Sequence, residues 1–229
     1  MDSNQFTIAA TTRFIDDTGY ERLNATLAQR FYMSDRKVLK ETQFLNSVAQ
    51  SDSSDLFLTA TAYINKVLKV SSAVQYNPDE STTNRATLRT RYSPRPGKLI
   101  DVGYRLIRNL TNSDDDIKQI NLAGQWPLGG GWSSIGRYNY DIKKSGAVEA
   151  LGGFEYDGGC WASRIVLNRL SLATTEKPNY TLFMQIELGG LGSLGASNDT
   201  NLFDVLDRNV PGATFSSKIP DQYRKENLN

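Results

Sequence analysis

Three observations predict an all-β chain, an antiparallel up-and-down transmembrane β-barrel of which this sequence supplies a C-terminal portion of about eleven strands. First, apolar and polar residues alternate with a period of two in segment after segment, the mark of strands with one greasy and one wet face. Second, the segments run for about ten residues, beyond the usual five or six. At roughly 3.3 Å per residue and a tilt near 45°, ten residues rise about 24 Å, close to the apolar band of an outer-membrane barrel. Third, the connections alternate between short turns and longer polar loops, with only 143–146 short out of turn, the asymmetry between the two rims of such a barrel.

Taken in order, Gln5–Ile15 sets Phe6, Ile8, Ala10, Thr12 and Phe14 against Thr7, Ala9, Thr11 and Arg13. Asp16-Asp17-Thr18-Gly19 is a tight turn, and Tyr20–Tyr32 returns with Leu23, Ala25, Leu27 and Phe31 on the apolar side. A long polar connection follows over residues 34–53. Strands are then expected over Asp55–Asn65, Lys69–Tyr76 and Asn84–Ser93, where Pro94-Arg95-Pro96-Gly97 breaks the pattern because proline cannot donate to a ladder. Lys98–Arg108 and Ile117–Trp126 flank the aspartate-rich loop 109–116. Pro127-Leu128-Gly129-Gly130-Gly131 reads as a turn, and Trp132–Ile142, Ala147–Tyr156 and Cys160–Leu170 follow. The last clear strand is Asn179–Gly190, with Tyr180, Leu182, Met184, Ile186 and Leu188 on one face. No helix stands out. Residues 1–190 are therefore read as a barrel segment and 191–229 as a polar, Gly-rich periplasmic tail.

Composition narrows the function. The chain has 229 residues and a net charge of +1, which points to no nucleic acid and no acidic partner. It has no histidine, which removes Ser-His-Asp and Cys-His catalysis and the commonest metal ligand. One cysteine, Cys160, forms neither an internal disulfide nor a zinc cluster. No nucleotide-binding motif appears. The expectation is a protein that is no enzyme and holds no cofactor or metal. No run of eighteen apolar residues makes a membrane helix. The opening MDSNQFTIAA lacks a charged stretch followed by an apolar one, so an exported protein implies sequence upstream. An odd number of strands with open edges implies either one strand miscounted or a larger barrel of which this is the C-terminal part, because unpaired edges are not tolerated against hydrocarbon.

The polar faces carry Arg85, Arg89, Arg105, Arg137 and Arg164 beside several carboxylates. In a barrel these line a wet lumen, as cross-strand ion pairs or as contacts to phosphates or to a plug. In a soluble sandwich or lipocalin-like barrel they are solvated surface. That soluble β-rich binding domain and a general outer-membrane channel or porin stand as the alternatives.

The segment TTRFIDDTGYERLNATLAQRFY (Thr11–Tyr32), with Arg13, Asp16, Asp17, Glu21, Arg22 and Asn24, is similar to the LptD family of lipopolysaccharide-assembly proteins. The hairpin GFEYDGGCWASRIVLNR (Gly153–Arg169) and the strand FMQIELGGLGSLG (Phe183–Gly195) resemble the C-terminal half of the same family. The resemblance implies a very large barrel in the Gram-negative outer membrane that transports lipopolysaccharide and inserts it through a lateral gate. The strand bearing Tyr180, Leu182, Met184, Ile186 and Leu188 would be one lip of that gate. It also implies an LptE-like plug lipoprotein and a periplasmic Lpt bridge, reached through an N-terminal domain that this sequence does not contain. By the same resemblance, Cys160 would form a disulfide with that absent domain.

Overall fold

The computed structural model describes residues 5–32, 53–109, 116–171, 177–188, 192–194 and 202–215. Twelve strands form one sheet in strict sequence order. They are β1 (Gln5–Ile15), β2 (Glu21–Tyr32), β3 (Leu56–Tyr63), β4 (Leu68–Asn77), β5 (Thr82–Arg95), β6 (Lys98–Ile107), β7 (Ile117–Gly129), β8 (Trp132–Asp141), β9 (Gly146–Asp157), β10 (Trp161–Leu170), β11 (Asn179–Leu188) and the short β12 (Gly192–Leu194). Among the described residues one helix, α1 (Leu202–Asn209), follows. The eleven expected strands are all present, and β1–β2, β2–β3, β3–β4, β7–β8, β8–β9, β9–β10 and β10–β11 pair antiparallel.

Three details differ from the sequence reading. Pro94 lies inside β5, which continues to Arg95. Pro127 lies inside β7, at a register shift against β8 between Pro127 and Gly129. Both prolines sit at strand ends, where a missing N–H costs little. The third difference lies in the stretch read as a polar, Gly-rich tail, where both the short β12 and α1 form. The long connection 34–53, all but its last residue, and most of the loops 109–116 and 171–178 lie outside the described residues.

The short turns are built by side-chain carboxylates and amides that accept backbone N–H groups. Asp16 Oδ1 accepts from Thr18 N at 2.9 Å, Tyr20 N at 3.0 Å and the Thr18 hydroxyl at 2.5 Å. Its other oxygen takes Arg22 Nε at 2.7 Å. Thr18 above all, with help from Tyr20 and Arg22, holds the Asp16 carboxyl down at about 2. Gly19 completes the turn at φ 79°, a conformation that a β-carbon resists. The Asp16, Arg22 part of the quoted motif is thus a turn lock. Asn77, Asp141 and Asp157 make the same kind of local bond at the β4–β5, β8–β9 and β9–β10 turns.

The chain forms two compact units, one of residues 1–65, 69–89 and 104–118, the other of 66–68, 90–103 and 119–229. The first holds β1–β4 and has no buried apolar cluster among the described residues; β1 is exposed along its whole length. The second has a small core in which Leu99, Ala123, Ile135, Leu151 and Val166 from β6–β10 meet Leu202, Val205, Leu206, Val210 and Phe215 from the α1 segment.

Candidate lipid-facing wall and inner polar face

The sheet is inside out relative to a soluble domain. In β7–β11 the exposed side chains are Ile120, Leu122, Trp126, Tyr138, Phe154, Ile165, Leu167, Leu182 and their row-mates. The buried ones include Gln125, Asp141, Glu155, Arg164 and Gln185. A domain in water buries its aliphatics and leaves charge outside, so an extended apolar surface marks contact with something greasy. The rows run straight across the strands: Trp126, Ser134, Phe154, Ile165 and Met184 stand opposite one another in successive pairs. In the first unit Phe6, Ile8, Leu27 and Leu58 are likewise exposed. Phe6 stacks on Phe31 across the β1–β2 pair at 5.1 Å between ring centres.

Rings collect at the short-turn rim. Trp132 lies 5.0 Å from Tyr156, which lies 5.4 Å from Trp161. Lys98 covers the Trp126 ring at 5.1 Å. Amphipathic rings and a snorkelling amine at strand ends match the interface between acyl chains and water.

The inner face is held by ion pairs and by the α1 segment. Arg164, its side chain 1% exposed, donates Nε to Glu155 Oε2 and Nη1 to Glu187 Oε2 at 2.8 Å. Its guanidinium lies 4.9 Å from the centre of the Phe215 ring. Arg164 faces Glu155 across the β9–β10 register, so the pairing follows from the hairpin. Arg91 Nε donates to Asp101 Oδ2 at 2.8 Å, and Asp101 is 1% exposed. Arg137 donates to Asn121 and to Asn209 Oδ1, each at 2.8 Å, and sits 3.5 Å from Glu149. Gln125 clasps the segment after α1 from both sides: Thr214 N donates to its Oε1 and its Nε2 donates to Thr214 O, each at 2.8 Å. A side-chain amide thus imitates a strand neighbour for a segment that has none.

A family model described as "LPS transport system D" matches residues 1–157. The chain belongs to the LptD family. Curated relatives named "LPS-assembly protein LptD" match nearly all of it. That of Chromobacterium violaceum is 39% identical over 93% of this chain, and that of Thiobacillus denitrificans 37% over 95%. That of Azoarcus sp. is 36% identical over 92%. These alignments cover 26%, 28% and 25% of the relatives, so the chain spans about a quarter of the length of the LptD proteins it matches.

Within this LptD-family chain, the anticipated residues do not form one site. Tyr180, Leu182, Met184, Ile186 and Leu188 share the exposed face of β11. Beyond the β11–β12 pairs at Ile186, Glu187 and Leu188, no strand among the described residues covers the outer edge of β11. Cys160 is an exposed free thiol in the β9–β10 turn. Arg137 and Arg164 join the network under the α1 segment, whereas Arg85 and Arg105 are exposed in the first unit and Arg89 is half-buried there. Sequence reasoning missed the role of Gln125 and the α1 segment. The signal for α1 was present: Leu202, Val205, Leu206 and Val210 recur at helical spacing inside an otherwise polar stretch.

Proposed function

We propose that this chain is part of the wall of an outer-membrane β-barrel that transports lipopolysaccharide and inserts it into the outer leaflet. The observation that carries the reading is the inverted polarity of the sheet, apolar out and ionic in, on a chain of the LptD family. An exposed row of Leu, Ile and Met is stable against acyl chains and unstable against water. That disfavours a soluble binding domain, and family membership disfavours a general porin.

The remaining assignments follow from the same reading. The free edge of β1 and the partly free edge of β11 need strand partners in hydrocarbon, which the rest of a larger barrel supplies. The row Tyr180, Leu182, Met184, Ile186 and Leu188 forms one lip of a lateral gate. The short-turn rim faces the periplasm, with Cys160 available there for a disulfide to an N-terminal domain in an oxidising compartment. The tail from residue 191 belongs to that periplasmic rim, its α1 part folded over the inner face. Arg85, Arg89, Arg105, Arg137 and Arg164 line the lumen, where a plug lipoprotein of the LptE type sits. A periplasmic Lpt bridge delivers the lipid, and the chain itself performs no covalent chemistry.

Depletion of the full-length protein in its own bacterium tests this. Newly made lipopolysaccharide should fail to reach the cell surface, while the protein stays in the membrane pellet after alkaline carbonate washing. Release by carbonate, or normal surface delivery after depletion, overturns the proposal.

A further inference from the structure

The outward face of the second unit carries a trough of about 790 Å³ across β6–β10. Its floor is the row Gly124, Gly136, Gly152, whose members stand directly opposite one another. One wall is the neighbouring row of Leu122, Tyr138, Ala150, Arg169 and Tyr180, and the other contains Trp126 and Ser134. Packing explains Gly124, where a β-carbon would lie 2.9 Å from Leu99 O. It does not explain Gly152, where a β-carbon would meet nothing within 4 Å. At Gly152 the depression is therefore open space that local packing does not require.

Among the wall residues just named, Arg169 is the one that carries a charge. Arg169 is the next-to-last residue of β10, at the long-loop end, on the same face as Leu167. Its Nη1 donates to Ala147 O at 3.3 Å, and among the described residues no carboxylate pairs with it. A guanidinium on a lipid-facing row is costly deep in the bilayer and tolerable near the headgroups. Its planar fork suits phosphate. From β6 to β10 is four inter-strand steps, about 19 Å. At a strand tilt near 45° such a trough descends about 13 Å, close to half of the roughly 30 Å hydrocarbon core.

We infer that the trough is a binding site on the outer wall for one acyl chain of lipopolysaccharide, with a lipid phosphate on Arg169. This rests on the proposed function, which places the long-loop rim at the outer leaflet, where that lipid is the anionic component. The site offers newly inserted lipid a resting place on the wall.

The test uses the full-length protein in vesicles of phosphatidylcholine alone, with added phosphatidylglycerol, or with added lipopolysaccharide. A photo-crosslinking residue is placed by Leu122→p-benzoylphenylalanine, and a background reporter by Ile8→p-benzoylphenylalanine. The Leu122 reporter should capture lipopolysaccharide well above the Ile8 level. Gly152→Leu should return it to that level by filling the trough. Arg169→Gln, which leaves the floor intact and serves if the first variant fails to assemble, should weaken capture about tenfold, the weight of one charge-assisted hydrogen bond. Equal capture of phosphatidylglycerol, or capture indifferent to both variants, overturns the site. Delivery of lipopolysaccharide to the cell surface is measured alongside. Normal delivery without capture sinks the trough alone, whereas loss of delivery by neither depletion nor any variant sinks the transport reading.

Discussion

Replacing Arg164 by methionine isolates the largest electrostatic element of the inner face. Arg164 is 1% exposed and Glu155 8%, so removing the cation strands a buried carboxylate. Breaking a buried pair from one side costs about 3–5 kcal/mol. Glu187 is 25% exposed and keeps much of its hydration, so its lost partner adds about 1 kcal/mol or less. Loss of the contact to Phe215 adds about 0.5–1 kcal/mol. The expected total for Arg164→Met is about 4–6 kcal/mol, most of it the stranded Glu155. The double variant Arg164→Met with Glu155→Gln removes both charges and should recover about half or more of that loss. The assay is reversible guanidinium unfolding of the full-length protein refolded into phospholipid vesicles, followed by tryptophan fluorescence. A single-variant cost below about 1 kcal/mol, the range of a solvated surface pair, refutes the reasoning.

Three further outcomes follow from the same geometry. Met184→Arg, at a position 59% exposed, should destabilise the vesicle-embedded protein by about 2–4 kcal/mol, against about 0.5 kcal/mol or less if that face met water; the same unfolding titration decides. Leu206→Ala, at a position 1% exposed between α1 and the sheet, should cost about 2–5 kcal/mol through the cavity it leaves. Tested the same way, a cost under about 0.5 kcal/mol would mean that the α1 segment is not packed. Asp16 should titrate by carbon NMR at about 2 rather than at its ordinary 3.8. Because the folded value is the lower one, the turn's contribution is present above 3.8 and is lost as pH falls through about 2. A midpoint at the ordinary value contradicts the turn lock.

The strands were legible in the sequence because a two-faced sheet imposes the simplest of patterns, alternation with one chemistry on each side. Which residues share a face was also legible, and Leu182, Met184 and Ile186 stand together on the exposed face of β11. The partners of Arg164 and Arg91 were not legible, because cross-strand neighbours depend on register, and one residue of slip changes every pair. Pro94 and Pro127 misled because a proline at the end of a strand reads like one beyond it. The α1 segment escaped because a helix of eight residues has too few turns to stand out from a stretch rich in Gly, Ser and Asn. The trough escaped because glycines in three different strands become neighbours only when the hairpins align.

The inverted faces also govern the journey of this chain before it reaches its destination. Rows such as Leu182, Met184 and Ile186, or Ile120 and Leu122, would stick to their like in any aqueous compartment crossed on the way. Such rows keep apart from their like only where something apolar covers them, and left in water they would draw copies of the chain into clumps.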